Sequence, residues 1–430
     1  MKICASLGNS CDTSELEKAD IIEIRTDLVP IPEVIPNKPL ILTFKGNPPI
    51  VPKRFRGMVD NGEVPFIKPN IEPLCSFHDY SGTPNKDEIL KIMNSLRSDL
   101  VKGVFTPSDL NDLNNIRNAA VSVKKRHIVF GMGELGKITR IRQDILENEF
   151  TFAHSGRPTA PGQLSVSEMR RLDGCMVTGL VGHPLGHSLS PVMHNTAFKK
   201  TGINGIYLEF DTPNLKGFKE FMISFNIRGL NVTIPYKTEI IEHLDTVDKE
   251  SEKIGAVNTV INDSGKLTGA NTDIHGIREA FNGNDIHRKN VLVIGSGGAA
   301  RACLFVMNGF DCSSTITSRN NAVAKGLAKE FGAETVGMND ASIDKFDVII
   351  NCTPIGMKDF PAGPPVSVDG LKKNHVVFDM VYGSTALTEI AEKRGANIIS
   401  GKDMLASQGA RSFELWTGTR MDAGIMRKVI

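Results

Sequence analysis

The stretch Val291–Ala302, "VLVIGSGGAARA", joins four apolar residues to Gly295-Ser296-Gly297-Gly298-Ala299-Ala300 and then to an apolar run, "RACLFVM". Short apolar runs of this kind read as buried strands, and the run that follows has the period of a helix. Glycines between them permit a tight turn and let backbone N–H groups approach a pyrophosphate at the helix N-terminus. Strand before and helix after is the context that separates such a loop from a chance G-x-G-x-x-A. The stretch therefore predicts a Rossmann-type dinucleotide-binding unit, placed at residues 280–403.

The next strand, "STITSRN", ends in Ser318-Arg319-Asn320 with no Asp or Glu to hold a ribose 2′-hydroxyl. Arg319 could pair instead with a 2′-phosphate, which favours NADP(H) over NAD.

Upstream, the character of the chain changes near Asp173-Gly174. From there to residue 279 strands and helices alternate around four polar segments: "GHPLGHSLSPVMHN" with Ser188 and Ser190, "NVTIPYK" with Thr233 and Lys237, "GAVNTV" with Asn258, and "GANTD" with Asp273. Two hydroxyls two residues apart point the same way in an extended segment and suit a carboxylate or polyol. Lys237 and Asp273 fall at element ends, where functional residues concentrate.

Residues 1–173 hold eight short strand candidates, among them "KICASL", "IIEIRTD", "PLILTF", "PFIKPNIE" and "PLCSFHD", with helical segments after the later ones. That count predicts a compact (β/α)₈ barrel. Pro-rich linkers between strands two and five (Pro30, Pro32, Pro36, Pro48, Pro49, Pro52, Pro69 and Pro73) predict missing or stunted helices there. In this barrel "LVKGVF" puts Lys102 inside an apolar strand with no obvious carboxylate partner. A desolvated lysine has a lowered pKa and becomes a nucleophile toward ketones, although most such lysines simply snorkel to the surface. "FHDYSGTP" sets His78 beside Asp79 ahead of a turn; Asp79 reads as structural or orienting.

Bulk composition sets the outer limits. At 430 residues the chain is long enough for two or three domains. Fifty basic residues against 49 acidic ones give no field that would draw nucleic acid or an anionic membrane. Seven scattered cysteines without C-x-x-C read as reduced thiols, and the N-terminus lacks a signal pattern, so a cytoplasmic location is expected. No His/Cys/carboxylate cluster has metal-ligand spacing, and no metal is expected. The sequence leaves the oligomeric state open, a homodimer included.

The segments "GHPLGHSLSPVMHN", "NVTIPYK", "GAVNTV", "NTD", "GSGGAAR", "NCTPIGM", "DMVY" and "SQGARSFELWTG" together resemble the shikimate dehydrogenase family over residues about 177–420. The resemblance implies a substrate domain at 174–279 completed by the C-terminal helices 404–430. It also implies a catalytic pair at Lys237 and Asp273, and substrate contacts from Ser188, Ser190, Thr233, Asn258, Tyr382 and Gln408. Gly295, Ser296, Gly297, Gly298, Ala299, Ala300, Ser318, Arg319 and Thr353 would hold NADP(H). Where the family has Asn-Arg-Thr and a second basic residue three positions on, this chain has Ser318-Arg319-Asn320 and Val323.

"EIRTD", "SFHDYSGTP", "DLVKGVF", "GKITR" and "TAPGQ" resemble the type I 3-dehydroquinate dehydratases, which are (β/α)₈ barrels. By that resemblance Lys102 forms an imine with the substrate ketone and His78 is the general acid/base. Glu23, Arg25, Lys45, Arg140, Thr159 and Gln163 would bind hydroxyls and carboxylate. The family's acid that assists the histidine has no counterpart in "TFKGNPPI", where Lys45 stands for an arginine. A bifunctional enzyme acting on 3-dehydroquinate, 3-dehydroshikimate and shikimate is the resulting expectation. The alternatives are a shikimate or quinate dehydrogenase with a weak or inert barrel, and a non-catalytic regulator built on both folds.

Overall fold

The computed structural model describes residues 1–8, 11–31, 37–45, 51–53, 55–186 and 188–430. It divides into two compact units, Met1–Gly186 with Asn204–Ile227, and His187–Ile203 with Arg228–Ile430. Among the described residues no helix is long and apolar enough to cross a membrane.

The first unit opens with eight parallel strands: β1 (Ile3–Leu7), β2 (Ile21–Arg25), β3 (Leu40–Thr43), β4 (Gly57–Asp60), β5 (Ile71–His78), β6 (Leu100–Phe105), β7 (Arg126–Gly131) and β8 (Thr151–His154). They bond in the order β7-β6-β5-β4-β3-β2-β1-β8, a barrel left with one seam between β7 and β8. A side chain stitches that seam. Val129 N donates to Asn148 Oδ1 at 2.7 Å, and Asn148 Nδ2 donates to Val129 O at 2.9 Å. The asparagine amide thus satisfies strand-edge groups that would otherwise be left bare.

Side chains alternate along each strand, so residues two apart share a face. The barrel floor is apolar: Cys4, Ile21, Ile41, Met58, Leu74 and Leu100 form part of one buried cluster. Two residues further along the same strands the inward face turns polar, with Ser6, Glu23, Thr43, Asp60, Ser76 and Lys102, all buried. Parallel register sets Ser76 opposite Lys102 and His78 opposite Val104, so His78 lies two residues nearer the strand ends than Lys102.

The expected fourth strand, "PFIKPNIE", is not one. Pro65 and Pro69 carry no N–H for a ladder, and Ile67 is 82% exposed. The segment turns over the surface, and only its last two residues enter β5. The true fourth strand is the four-residue "GMVD" (Gly57–Asp60). Helices follow β1, β5, β6, β7 and β8; among the described residues none follows β2, β3 or β4. Pro32, Pro36, Pro48 and Pro49 lie outside the described residues.

The same unit continues into β9 (Met176–Gly182) and β10 (Gly205–Asp211), paired in parallel over seven residues. Helix Phe218–Ser224 then packs on barrel helix Leu110–Ala120. Asn114 Nδ2 donates to Gly217 O at 3.0 Å, and a Cβ on Gly217 would stand 2.6 Å from that nitrogen.

In the second unit β11 (Ile227–Val232), β12 (Thr246–Val247), β13 (Thr259–Asp263) and β14 (Lys266–Ala270) lie in the order β11-β13-β14-β12. A parallel sheet follows: β15 (Asn290–Ile294), β16 (Ser313–Thr317), β17 (Glu334–Thr335), β18 (Val348–Asn351), β19 (Val376–Asp379) and β20 (Asn397–Ser400). Its order, β17-β16-β15-β18-β19-β20, is that of a Rossmann fold. Apolar clusters cover both faces of this sheet. The last long helix, Gly401–Thr417, returns to the β11–β14 region, where Trp416 Nε1 donates to Val260 O at 3.0 Å.

Candidate active sites

At the C-terminal ends of the barrel strands is a cavity of about 320 Å³. Glu23, Arg25, Lys45, His78, Lys102, Arg140, Thr159 and Gln163 all line it. These are all eight of the barrel's candidate residues. Lys102 is 5% exposed, so it does not snorkel, and its Nζ sits 4.5 Å from the centroid of Phe152.

Contrary to expectation, Lys102 does have a carboxylate partner. Asp60, at the end of the unforeseen strand β4, places Oδ2 3.3 Å from Lys102 Nζ. Its Oδ1 accepts from Ser76 Oγ at 2.6 Å and from Gly62 N at 3.2 Å. Glu23 is held separately, by the hydroxyls of Ser6 (2.5 Å) and Thr43 (2.7 Å).

The other charged side chains described in the lining, Arg25, Lys45 and Arg140, are cationic. Arg140 is 1% exposed, and its Nε and Nη1 have no hydrogen-bond partner among the described residues. Its guanidinium lies 4.2 Å from the centroid of Phe130, and burial draws its pKa down to about 10. A cation so placed is a ready partner for a ligand carboxylate. Burial, and after it the charges of Lys102, Lys45 and Arg25, push the His78 imidazole down to about 2. His78 is therefore neutral, a base rather than an acid, in the unliganded cavity.

No carboxylate among the described residues bonds His78. Tyr80 stacks against it instead, at 5.9 Å between ring centroids and 14° between planes, and the Tyr80 hydroxyl accepts from Lys45 Nζ at 3.0 Å. Asp79 faces the turn, accepting from Ser81 N, Ser81 Oγ and Gly82 N. Gln163 Oε1 accepts from Thr159 N, Thr159 Oγ1 and Ala160 N, which fixes the loop and leaves the amide nitrogen as the donor end.

The second site is built in the other unit. Lys237, in the turn after β11, places Nζ 2.5 Å from Asp273 Oδ2. Asp273 opens helix Asp273–Ala280, whose N-terminal dipole favours a carboxylate. Asn258 Nδ2 donates to Asp273 Oδ1 at 2.7 Å and to Gln408 Oε1 at 3.3 Å. Burial, and then the charge of Asp273, raise the Tyr382 phenol, which therefore stays protonated near this pair. Ser188 Oγ accepts from Ser190 N at 3.2 Å at the start of helix Ser190–Thr201. That helix packs on Gly401–Thr417, with Phe198 and Phe413 edge to face at 5.0 Å. Thr233 is half-buried in the turn that leads to Lys237, its carbonyl accepting from Tyr236 N at 2.9 Å.

Behind Asn258 and Gln408 lies a buried polar network that sequence reasoning missed. Ser412 Oγ meets Thr259 Oγ1 and Thr272 Oγ1 at 2.9 Å each, and Asn231 Nδ2 donates to Ser412 Oγ at 2.9 Å. These residues come from four separate segments, so no local pattern announces them.

The glycine loop abuts the Lys237–Asp273 pair. Gly295 has φ +119°, and a Cβ there would meet Cys352 and Thr353 at 3.2–3.3 Å. No described residue lies within 4 Å of where a Gly297 Cβ would be, which leaves room beside that backbone. Ser296, Gly298 and Ala299 are half-buried, while Ala300 is fully buried where the helix Gly298–Gly309 begins. At the end of β16, Ser318 Oγ donates to Asn320 O and Asn320 caps the following helix, which leaves Arg319 exposed. Thr353 Oγ1 donates to Asn351 Oδ1 at 2.7 Å. An open glycine turn at a helix start, with an exposed arginine and no acid at the next strand end, fits a phosphorylated dinucleotide.

Comparison with known proteins extends this picture. The family described as Type I 3-dehydroquinase matches residues 66–176. Shikimate dehydrogenase substrate binding domain matches 180–260, and Shikimate 5′-dehydrogenase C-terminal domain matches 401–430. The chain is 42% identical over 270 residues to a shikimate dehydrogenase (NADP(+)) of Methanococcus maripaludis, covering 59% of this chain and 96% of that one. It is similar to the solved structure of shikimate 5-dehydrogenase from Thermus thermophilus in complex with NADP(H) and shikimate. There the TM-score is 0.54 at 34% identity, over 59% of this chain and 98% of that one. Quinate dehydrogenase from Corynebacterium glutamicum in complex with NAD gives a TM-score of 0.54 at 30% identity, over 59% and 98% of the two chains.

Proposed function

The chain belongs to the shikimate dehydrogenase family and carries a type I 3-dehydroquinase domain ahead of it, and from that premise we propose how its residues divide two consecutive reactions. The enzyme is bifunctional: it dehydrates 3-dehydroquinate to 3-dehydroshikimate and reduces that product to shikimate with NADPH. Residues 1–173 serve the first reaction. Residues 174–279 with 404–430 hold the second substrate, and 280–403 hold the cofactor.

In the barrel the Lys102 ammonium passes a proton to the substrate's carbonyl oxygen as its nitrogen adds to the carbonyl carbon, water leaves, and a protonated imine forms. That imine withdraws electrons from the adjacent C–H bond. His78, already neutral, takes the proton, and the C–H electron pair moves toward the imine nitrogen. The resulting enamine expels the β-hydroxyl as His78 returns the proton, and hydrolysis of the imine frees Lys102. Arg140 binds the substrate carboxylate, while Glu23, Arg25, Lys45, Thr159 and Gln163 position its hydroxyls.

In the second site Gly295–Ala300, Arg319 through the 2′-phosphate, and Thr353 would hold NADPH, whose chemistry there would be hydride donation. Lys237 donates a proton to the oxygen that becomes the new hydroxyl, and Asp273 keeps the ammonium aimed. Ser188, Ser190, Thr233, Asn258, Tyr382 and Gln408 hold the carboxylate and ring hydroxyls. Seven free cysteines fit a reducing cytoplasm.

The observation that carries the reading is the convergence of Lys102, His78 and Arg140 in one cavity, the lysine and arginine buried and the histidine half-buried. An inert barrel gains nothing from keeping an incompletely bonded Arg140 in its interior. Borohydride added with 3-dehydroquinate should fix an adduct on Lys102; folded protein that yields no adduct would sink the imine. Similarity to a quinate dehydrogenase favours a second reading for the reductase alone, in which quinate is also oxidised. Activity with quinate and either cofactor tests it.

A further inference from the structure

The barrel cavity collects positive charge. Arg25, Lys45, Arg140 and Lys102 all line it, and among the described lining residues Glu23 is the one carboxylate. Glu23 has both oxygens engaged by Ser6 and Thr43. Cys4 lies below on the apolar floor, its thiol pushed up mainly by burial. His78 is neutral. Asp60 differs from all of these. It is 1% exposed and does not line the cavity. Ser76 and Gly62 fix its Oδ1, and its Oδ2 points at Lys102 Nζ, 3.3 Å away.

We infer that Asp60 is a positioning residue for the nucleophile, the fixed counter-charge that keeps the nitrogen of Lys102 cationic at both ends of imine formation. The inference rests on the reading of Lys102 as the imine-forming residue. The balance of the step explains the need. Lys102 ammonium plus the ketone gives protonated imine plus water, so one positive charge stands on the same nitrogen before and after. Between them the ammonium passes a proton to the carbonyl oxygen as the nitrogen lone pair forms the C–N bond. The C–O bond then breaks, and the oxygen leaves as water with two of the lysine's protons. Only a cationic imine is a strong electron sink. Three further cations line the same cavity and disfavour a positive charge on that nitrogen, and a buried carboxylate opposes them.

The test is Asp60→Asn in the full chain, with dehydration followed across pH. The alkaline limb of kcat, which reports loss of the imine proton in the bound complex, should move acidward by about 1 to 3 in pH. Borohydride should still fix the adduct on Lys102 at neutral pH, which shows that the variant site is folded. An adduct with an unmoved limb overturns the role of Asp60 and leaves the imine standing. No adduct even in the unaltered enzyme overturns the imine itself. If Asp60→Asn does not fold, Asp60→Glu decides. The charge is retained, so its limb should coincide with that of the unaltered enzyme, and an acidward limb there would overturn the inference.

Discussion

Gly298 stands directly against Lys237: a Cβ on the glycine would lie 2.7 Å from Lys237 Cβ and 3.1 Å from its Cδ. The glycine turn and the lysine–aspartate pair are thus one packed assembly, and the loop helps to set where Lys237 can stand.

Gly298→Ala should therefore displace Lys237 from Asp273 with no change in the barrel. Because a misplacement on the order of 1 Å can lower a rate by about 10²-fold, reduction of 3-dehydroshikimate should fall on that scale. Dehydration of 3-dehydroquinate by the same preparation should be unaffected. Steady-state rates for both half-reactions check this; equal losses in the two would contradict it.

Arg140 gives a prediction with opposite signs for binding and stability. Arg140→Met removes a buried cation with unbonded N–H groups, so the free barrel should gain about 1–3 kcal/mol. Binding of 3-dehydroquinate should weaken, because the charged partner of its carboxylate is gone, with KM rising about 10- to 100-fold. Hydrogen exchange in β6 and β7 reads the first effect and dehydration kinetics read the second. A variant that binds substrate normally would remove Arg140 from the site.

How legible all this was in sequence varied with the range of the interactions. Lys102, His78 and Arg140 sit inside short patterned segments, and those patterns led straight to the cavity. Asp60 was missed because its strand has four residues and follows a Pro-rich stretch, while the more apolar "PFIKPNIE" drew the assignment. Periodicity cannot weigh the missing N–H groups of Pro65 and Pro69 against so many apolar side chains. Tyr80 lay within a quoted segment, but its bond to Lys45 joins positions 35 residues apart. The Asn231–Thr259–Thr272–Ser412 network joins strands to the C-terminal helix, a distance over which local spacing carries no signal.

His78 makes the barrel sensitive to acid. Its folded pKa, about 2, lies below the ordinary 6.5. Between those values the unfolded chain binds a proton that the folded barrel refuses, so the contribution is present above 6.5 and is lost as pH falls below it. Protection of the β5 and β6 amides, their exchange taken relative to the intrinsic rate at each pH, should fall between about pH 7 and 5. His78→Asn should flatten that change. If the variant keeps the full pH response, another group is responsible.

Arg319 is exposed at the end of β16, where no acid competes for a ribose. Arg319→Ala should raise KM for NADPH about 10- to 100-fold, the scale of a lost charge-assisted hydrogen bond, with KM for NADH nearly unchanged. Parallel titrations with the two cofactors measure it. An equal rise for both would mean that Arg319 contacts something other than the 2′-phosphate.

The most direct test of two working sites in one chain supplies 3-dehydroquinate and NADPH together and follows NADPH oxidation. Sustained turnover is expected of the unaltered enzyme. Lys102→Ala should stop it, and 3-dehydroshikimate should restore it; Lys237→Ala should stop it with either substrate while dehydration continues. Sustained NADPH oxidation from 3-dehydroquinate by Lys102→Ala, or loss of dehydration in Lys237→Ala, would contradict the account.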